Sequence, residues 1–218
     1  MLGTERVELL PERAVWWEGR STLLIADLHL GKTATFRARG IPAPEGTTRH
    51  DLLRLSRLIE RLAARRVVIL GDMIHSAAGR SEDVLRVFSE WRAEARDIRM
   101  LLVRGNHDRH AGDPPREWGI ECVDGPHIDG SLVFRHEPGE DSRGHVLCGH
   151  VHPAARLVGR GDATMRVPCF WVGKRCTILP AFGSFTGAKT IHPRDDDRVF
   201  AAGESVIEVK HALPSSTR

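Results

Sequence analysis

Side chains that bind metal ions recur in short polar clusters along this chain, and each cluster follows an apolar segment. In chain order the clusters are Asp27-Leu28-His29, Gly71-Asp72, Gly105-Asn106-His107-Asp108, His136 and Gly149-His150-Val151-His152. Their carboxylate, amide and imidazole groups form a mixed oxygen and nitrogen donor set without thiolate, which suits Mn, Fe, Ni or Zn better than Ca. Two such cations can activate a bridging hydroxide and hold a phosphoryl group in place. The clusters therefore predict a metal-dependent phosphoesterase.

The apolar segments before the clusters have the pattern of buried strands. These predicted strands cover residues 22–26, 67–70, 100–103, 132–134 and 146–148. In open α/β sheets, ligands bind beyond the carboxyl ends of the strands, where loops from separate strands converge. We therefore expect the polar clusters to lie together at one edge of a sheet.

Amphipathic segments alternate with the first three of these strands. Apolar residues from Leu52 to Leu62 recur at spacings of three and four, which predicts a helix over 51–65. Ser81 is a favourable N-cap for a second helix over 81–95. The alternation indicates an α/β core with a parallel sheet, and the later strands indicate a second sheet packed on it, with helices outside both. Further predicted strands are a hairpin at 7–10 and 14–17 and segments at 166–172, 176–179 and 205–209.

Length and composition limit the class of protein. The chain has 218 residues, 41% hydrophobic residues and a formal net charge of +3, which fits one globular domain over 1–218 and does not by itself indicate a nucleic-acid partner. The N-terminal residues lack the pattern of a secretory signal, and no segment approaches the roughly 20 apolar residues of a membrane span. The 4 cysteines show no C-x-x-C pair, so we expect reduced thiols in a cytoplasmic protein.

The order of the clusters resembles the pattern of the calcineurin-like metallophosphoesterases. The family pattern D-x-H, G-D, G-N-H-[DE], H and G-H-x-H is complete here between Asp27 and His152. The resemblance implies an α/β fold of four layers, with two central mixed β-sheets flanked by helices, and a site for two divalent metal ions. One metal would be held by Asp27, His29, Asp72 and His152. The second would be held by Asp72, Asn106, His136 and His150. Asp72 would bridge the two cations, because a shared carboxylate offsets their mutual repulsion.

Two residues of the third cluster are candidates for catalysis. His107 is expected near the leaving-group oxygen, as a general acid or as a donor to the phosphate. Asp108 is expected to orient the imidazole ring of His107. Candidate substrate-binding residues that follow the clusters are Lys32, Arg37, His75 and Arg109. They fit contacts to a phosphate backbone, but they equally fit a solvated basic face or, for His75, a histidine satisfied by the backbone.

Longer segments resemble one group within that family, the bacterial ligase-associated DNA damage response endonucleases of the PdeM type. The segments are 27–32, 36–42, 71–75, 136–139, 149–153 and 180–187, and the resemblance extends over roughly residues 5–210. It implies a manganese-dependent DNA endonuclease, with single-stranded DNA as the expected partner, in a bacterial repair cluster with a DNA ligase, a helicase and a nuclease. Ala188 departs from the pattern, where a second glycine is expected after Gly187.

Other functions remain open from the sequence. The same ligand set fits a small-molecule phosphodiesterase or nucleotide hydrolase, and the fold could serve as a non-catalytic protein-binding scaffold. No ligand of the family pattern is missing, which favours catalysis over the scaffold. Phe182 and Phe185 also have two interpretations, which are stacking on unpaired bases and packing in the core.

Overall fold

The computed structural model describes residues 1–158 and 164–209 and consists of two mixed β-sheets stacked face to face, with flanking helices. The predicted fold class is therefore confirmed. The predicted domain, 1–218, also includes residues 159–163 and 210–218, which lie outside the described residues. None of the described helices is long and apolar enough to cross a membrane.

The first sheet contains the strands that precede the first three polar clusters. Its strands are β1 (Glu8–Leu10), β2 (Ala14–Trp17), β3 (Thr22–Ile25), β4 (Arg66–Ile69), β5 (Arg99–Val103) and β6 (Ile120–Val123). They lie in that order, antiparallel from β1 to β3 and parallel from β3 to β6. The predicted hairpin and the three predicted core strands are confirmed, with small shifts at their ends.

Helices connect the strands of the first sheet and cover its outer face. They are α1 (Lys32–Ala38), α2 (Thr47–Leu62), α3 (Glu82–Glu94) and α4 (Asn106–Ala111), with short 3-10 turns at Glu18–Arg20, Ala77–Gly79 and Arg116–Trp118. Leu55 of α2 and Phe88 of α3 lie in one buried apolar cluster with Ile25 and Ile69 of the sheet.

The two predicted helices form, but α2 lies closer to the N-terminus than predicted. It begins at Thr47, after Gly46 with a φ of 73°, and ends before Ala63, whose φ of 49° is also left-handed. The prediction began at 51 because the apolar periodicity starts only at Leu52, whereas the turn before it is polar. The side chain of Ser81 caps α3 as predicted, since it accepts a backbone hydrogen bond from the first turn.

The second sheet supplies the remaining polar clusters. Its strands are β7 (His127–Asp129), β8 (Leu132–Phe134), β9 (His145–Cys148), β10 (Pro153–Val158), β11 (Thr164–Val172), β12 (Cys176–Ile178), β13 (Lys189–Thr190), β14 (Arg198–Ala202) and β15 (Val206–Val209). The central order is β13-β10-β11-β12-β9-β8-β7, and β14 pairs with β11 and β15. The strands predicted in this half are confirmed. The sequence did not predict β6, β7, β10, β13 or β14, because each is short or contains a charged residue.

The apolar core has two layers. Trp17, Leu24 and Phe134 lie between the sheets, and the apolar faces of α2 and α3 pack on the other side of the first sheet. Within residues 1–158 and 164–209 every helix precedes Gly119, and α2 and α3 pack on the first sheet. The sequence instead predicted helices outside both sheets. The outer face of the second sheet carries a smaller apolar cluster around Val146.

Candidate metal centre

The loops that follow strands of both sheets meet at one edge. His29 N donates a hydrogen bond to Asp72 O at 2.9 Å, which joins the loops after β3 and β4. His150 N donates to Asp27 Oδ2 at 2.9 Å, which joins the loop after β9 in the second sheet to the loop after β3 in the first. The predicted convergence of the polar clusters is therefore present in the structure.

Several of the predicted ligands have a backbone conformation that non-glycine residues rarely adopt. Their φ values are 53° for Asp27, 48° for His29, 53° for Asp72, 69° for His150 and 50° for His152. Left-handed conformations of this kind cost on the order of 1–3 kcal/mol each and cluster at functional sites. The strand ends turn sharply at these positions, which directs the side chains toward one another.

Glycines in the clusters make room for the carboxylates. A Cβ atom on Gly105 would clash with the carboxylate and backbone of Asp72, and one on Gly149 would clash with the carboxylate of Asp27. Neither clash can be relieved by a flexible side chain, because Asp27 and Asp72 are both buried. The glycines of the motif therefore have a steric role at the site.

One group of donor atoms consists of the side chains of Asp27, His29 and His152, whose ligand atoms all lie within 4.8 Å of one another. His152 Nε2 lies 3.4 Å from His29 Nε2 and 3.4 Å from Asp27 Oδ1. Asp72 Oδ2 approaches this group at 3.8 Å from His29 Nε2.

A second group consists of Asp72, His136 and His150, again with ligand atoms within 4.8 Å of one another. The amide oxygen Oδ1 of Asn106 joins it, at 2.9 Å from His136 Nε2 and 3.1 Å from His150 Nδ1. Asp72 Oδ1 lies 3.4 Å from His136 Nε2. Asp72 therefore presents one carboxylate oxygen to each group.

The hydrogen bonds of the rings test whether these residues fit a cation. His136 Nδ1 lies 3.0 Å from the carbonyl of Leu70, and His152 Nδ1 lies 3.1 Å from the carbonyl of Gly187. A carbonyl can only accept, so Nδ1 is the donor in each neutral ring and Nε2 carries a lone pair. The lone pair of His136 faces the oxygen of Asn106, which is another acceptor. A cation between such atoms relieves their repulsion, so the donor set fits metal ions.

Burial shifts the pKa of two predicted metal ligands, His29 and Asp72. Burial lowers the pKa of His29, and the neighbouring His152 lowers it further, so the His29 ring is neutral, as a metal ligand must be. Burial raises the pKa of Asp72, whereas His136 and the backbone amide of His107 oppose that shift. A buried carboxylate of this kind gains a partner when a cation binds.

His107 and His75 stand beside the first group. The backbone amide of His107 donates to Asp72 Oδ1 at 2.9 Å, and its Nδ1 donates to the carbonyl of His75 at 2.5 Å. The side chain of His107 is 36% exposed, and its Nε2 lies 3.9 Å from Asp72 Oδ2. His75 Nδ1 lies 3.3 Å from His29 Nδ1, which fixes the orientation of the His29 ring. Burial and the nearby His107 lower the pKa of His75 to about 4.

Asp108 does not orient the ring of His107, and that prediction is wrong. Asp108 is 1% exposed, and its carboxylate accepts hydrogen bonds from the backbone amides of Met73 at 2.9 Å, Ile74 at 3.1 Å and Gly105 at 2.9 Å. The ring of His107 is instead held by the carbonyl of His75. Asp108 therefore connects the loop after β4 to the start of α4, and it positions the backbone on which Asp72 and His107 lie.

Lys32 and Arg37 both lie on α1 but have different surroundings. Lys32 is half-buried, and burial lowers its pKa, whereas the nearby carboxylates of Asp27 and Asp72 raise it. Its ammonium group therefore lies within electrostatic range of two predicted metal ligands. Arg37 Nη1 donates a hydrogen bond to the carbonyl of Pro44 at 2.7 Å. This nitrogen therefore binds the loop that follows α1.

Arg109 lies in a basic cleft next to the second group. The cleft has a volume of about 100 Å³ and is lined by Arg104, Arg109, Gly125, Arg135, His136 and Glu137. The side chain of Arg109 is 53% exposed, with Nη2 4.0 Å from Asp124. The sequence interpretation did not include Arg104 or Arg135. The position of Arg135, directly before the predicted ligand His136, was the signal that could have identified it.

The family is shown by comparison with known proteins. A model of the family described as calcineurin-like phosphoesterase matches residues 21–167, a span that contains every predicted metal ligand. The chain belongs to the calcineurin-like phosphoesterases. The predicted family resemblance is therefore confirmed.

Two solved structures illustrate what this phosphoesterase is similar to. The crystal structure of Pseudomonas putida nuclease MPE shares 37% sequence identity, covers 96% of this chain and 98% of that one, and superposes with a TM-score of 0.84. Yfce, a phosphoesterase from E. coli, shares 16% identity over 86% of this chain and 97% of that one, with a TM-score of 0.42. No curated protein matches the chain. Membership of the family, together with the metal-compatible donor groups, makes this chain a metal-dependent phosphoesterase.

Proposed function

We propose that this phosphoesterase is a binuclear phosphodiesterase that cleaves DNA. The observation that carries the proposal is the pair of donor groups that share Asp72, with one carboxylate oxygen directed at each. Asp27, His29, Asp72 and His152 would hold one metal, and Asp72, Asn106, His136 and His150 would hold the other. When bound, two cations supply an activated water molecule and stabilise the charge on the attacked phosphoryl group.

The residues of the chain supply the rest of the chemistry. Nδ1 of His107 is bonded to the carbonyl of His75, so a proton that His107 gives to a leaving-group oxygen must come from Nε2. That nitrogen belongs to a partly exposed side chain beside Asp72, where it can reach a phosphate at the metal centre. Lys32 adds a positive charge near Asp27 and Asp72.

The surroundings of the centre support a nucleic-acid substrate. His150 is exposed, and the basic cleft with Arg109 and Arg135 begins beside His136. A positively charged groove next to a phosphodiesterase site is suited to the backbone of an unpaired strand. The similarity to a nuclease along nearly the whole chain supports the same substrate.

The metal and the cellular role are also part of the proposal. Mn²⁺ is the proposed metal, and the nitrogen and oxygen donors also suit Zn²⁺, Fe²⁺ or Ni²⁺. The resemblance of the sequence to ligase-associated endonucleases supports a role in DNA repair in the bacterial cytoplasm, beside a DNA ligase, a helicase and a nuclease.

A hydrolase of small nucleotides is the second candidate. The same two donor groups would also serve such an enzyme, since its reaction likewise attacks a phosphoryl group. One experiment separates the two candidates: incubation with Mn²⁺, Mg²⁺, Zn²⁺ or Ca²⁺ and single-stranded DNA, duplex DNA or free nucleotides. Incision of single-stranded DNA with Mn²⁺ supports the proposal. Hydrolysis of nucleotides while DNA stays intact contradicts it.

A further inference from the structure

A row of aromatic rings leads away from the metal centre. His75 stacks on His107 with ring centroids 4.8 Å apart and an interplanar angle of 21°. Phe36 of α1 meets His75 edge-on at 6.3 Å, and Phe185 meets Phe36 edge-on at 5.7 Å. His75, Phe36 and Phe185 are all partly exposed. The row therefore presents aromatic surface to solvent. Its member His75 contacts the ring of the predicted metal ligand His29 directly.

The outer end of this row borders a shallow recess beside His29, with a volume of about 10 Å³. The residues that line the recess include His29, Lys32, Thr33, Thr47, Phe185 and Thr186. Thr186 Oγ1 is buried and has no hydrogen-bond partner among the described residues. The lining of the recess thus combines an aromatic ring, the Lys32 ammonium group, several threonine side chains and the Asp51 carboxylate.

The two phenylalanines of this loop region differ in their surroundings. Phe182 is fully buried in the core, and the guanidinium of Arg54 covers its ring at 4.1 Å. Phe185 keeps part of its surface accessible and contacts Phe36, another partly exposed ring, edge-on. Core packing therefore explains Phe182, whereas part of the Phe185 side chain remains accessible to a ligand.

We propose that Phe36 and Phe185 bind an unpaired nucleobase next to the phosphate that is cleaved. The inference rests on the proposed function, since it assumes that the phosphate lies at the metal centre. Every base has a flat face that can stack on a phenyl ring, so this contact does not depend on the nucleotide sequence. Lys32 lies on the lining of the same recess and supplies a positive charge for the phosphate of this nucleotide. Bases in a duplex are stacked and paired, so this site selects single-stranded or frayed nucleic acid.

The test measures binding, so that it does not depend on catalysis. A labelled oligothymidylate and an abasic oligonucleotide of equal length are titrated with the full chain, without added metal and with Ca²⁺, and followed by fluorescence anisotropy. The wild-type protein is expected to bind the base-bearing strand roughly tenfold or more tightly, the usual effect of base–aromatic stacking. The variant with both Phe36→Leu and Phe185→Leu is expected to bind the two strands equally.

Matched variants separate stacking from a change of fold. Phe200→Leu makes the same chemical change on β14 in the second sheet and should keep the preference for bases. Phe36→Trp retains a flat aromatic ring, so this variant should also retain the preference for the base-bearing strand. Equal binding of both strands by the wild-type protein would overturn the inference, and so would an unchanged preference in the double leucine variant. Base-dependent binding without incision of DNA by any metal would instead overturn the proposed function.

Discussion

Asp72 and His107 are linked through the protein backbone: the amide N–H of His107 donates to Asp72 Oδ1 at 2.9 Å, and the imidazole Nε2 of His107 lies 3.9 Å from Asp72 Oδ2. The residue proposed to bridge two cations and the residue proposed to protonate the leaving group therefore have a fixed relative position. Asp108 maintains it by binding the backbone amides of Met73 and Gly105. The residues proposed for metal binding and for proton transfer thus lie on backbone segments that are joined by hydrogen bonds.

The shared carboxylate of Asp72 is expected to determine how many metal ions bind. Asp72→Asn keeps the shape of the side chain and removes the charge that offsets repulsion between the cations. We expect metal content after removal of free ions to fall from two per chain to one or fewer, with a loss of activity of at least about 100-fold. Elemental analysis measures the content, and Asp83→Asn on the exposed face of α3 is the control. Wild-type metal content in Asp72→Asn would contradict the bridging role.

His107 is expected to matter most when the leaving group needs a proton. His107→Ala should slow the cleavage of DNA by about 10²–10⁴-fold. A 4-nitrophenyl phosphodiester should be affected much less, because its leaving group departs as a stable anion. Kinetic constants on both substrates test this, with the exposed His50→Ala as the control. An equal loss on both substrates would show that His107 does not act as the proton donor.

Asp108 is expected to contribute stability through its three backbone partners. Asp108→Asn removes the charge and replaces one acceptor oxygen with an NH₂ group, so at least one buried amide loses its partner. We expect the free energy of unfolding to fall by about 2–4 kcal/mol, as measured by urea denaturation. Asp113→Asn, at an exposed carboxylate, serves for comparison. An unfolding midpoint in urea equal to that of the wild-type protein would show that Asp108 does not stabilise the fold in this way.

Gly149 is expected to be required for the position of Asp27. Gly149→Ala forces its new methyl group against the Asp27 carboxylate, so the affinity for metal should fall by about tenfold or more. Gly203→Ala introduces the same methyl group where nothing lies within 4 Å, and it should bind metal normally. Calorimetric titration with Mn²⁺ compares the two variants. Equal affinities would mean that the glycine of the G-H-x-H motif has no steric role here.

Acid is expected to destabilise the metal-free protein. Burial lowers the pKa of His29, of His145 and of His75, the last to about 4 from an ordinary value of 6.5. These rings stay neutral in the folded state and take up protons on unfolding below about pH 6.5. The free energy of unfolding should therefore decrease as the pH falls below that value. Urea denaturation at pH 7.5 and pH 5.5 measures it, and equal stability at the two pH values would contradict the assignment.

The fold and the ligand positions were largely predictable from local sequence. The run from Val67 to Leu70 is apolar and β-branched, and it ends at Gly71, so both the strand and the turn toward Asp72 have local causes. The helix α1 was not predicted, because Lys32–Ala38 lacks an apolar period and begins after Gly31, whose φ is 74°.

Contacts between distant segments could not be predicted. The carboxylate of Asp108 binds amides 34 and 35 positions away, whereas the sequence suggested only its neighbour His107. The pairing of Phe36 with Phe185 likewise depends on how α1 packs against the loop after β12. Such contacts follow from the tertiary arrangement of loops, for which local periodicity gives no information.

Anomalous diffraction from crystals soaked with Mn²⁺ tests the proposed metal centre most directly. We expect two metal peaks at the edge where the two sheets meet, one among Asp27, His29 and His152 and the other among Asn106, His136 and His150, with Asp72 bonded to both. A single peak, or two peaks that do not share Asp72, would contradict the binuclear centre on which the proposed phosphodiesterase activity depends.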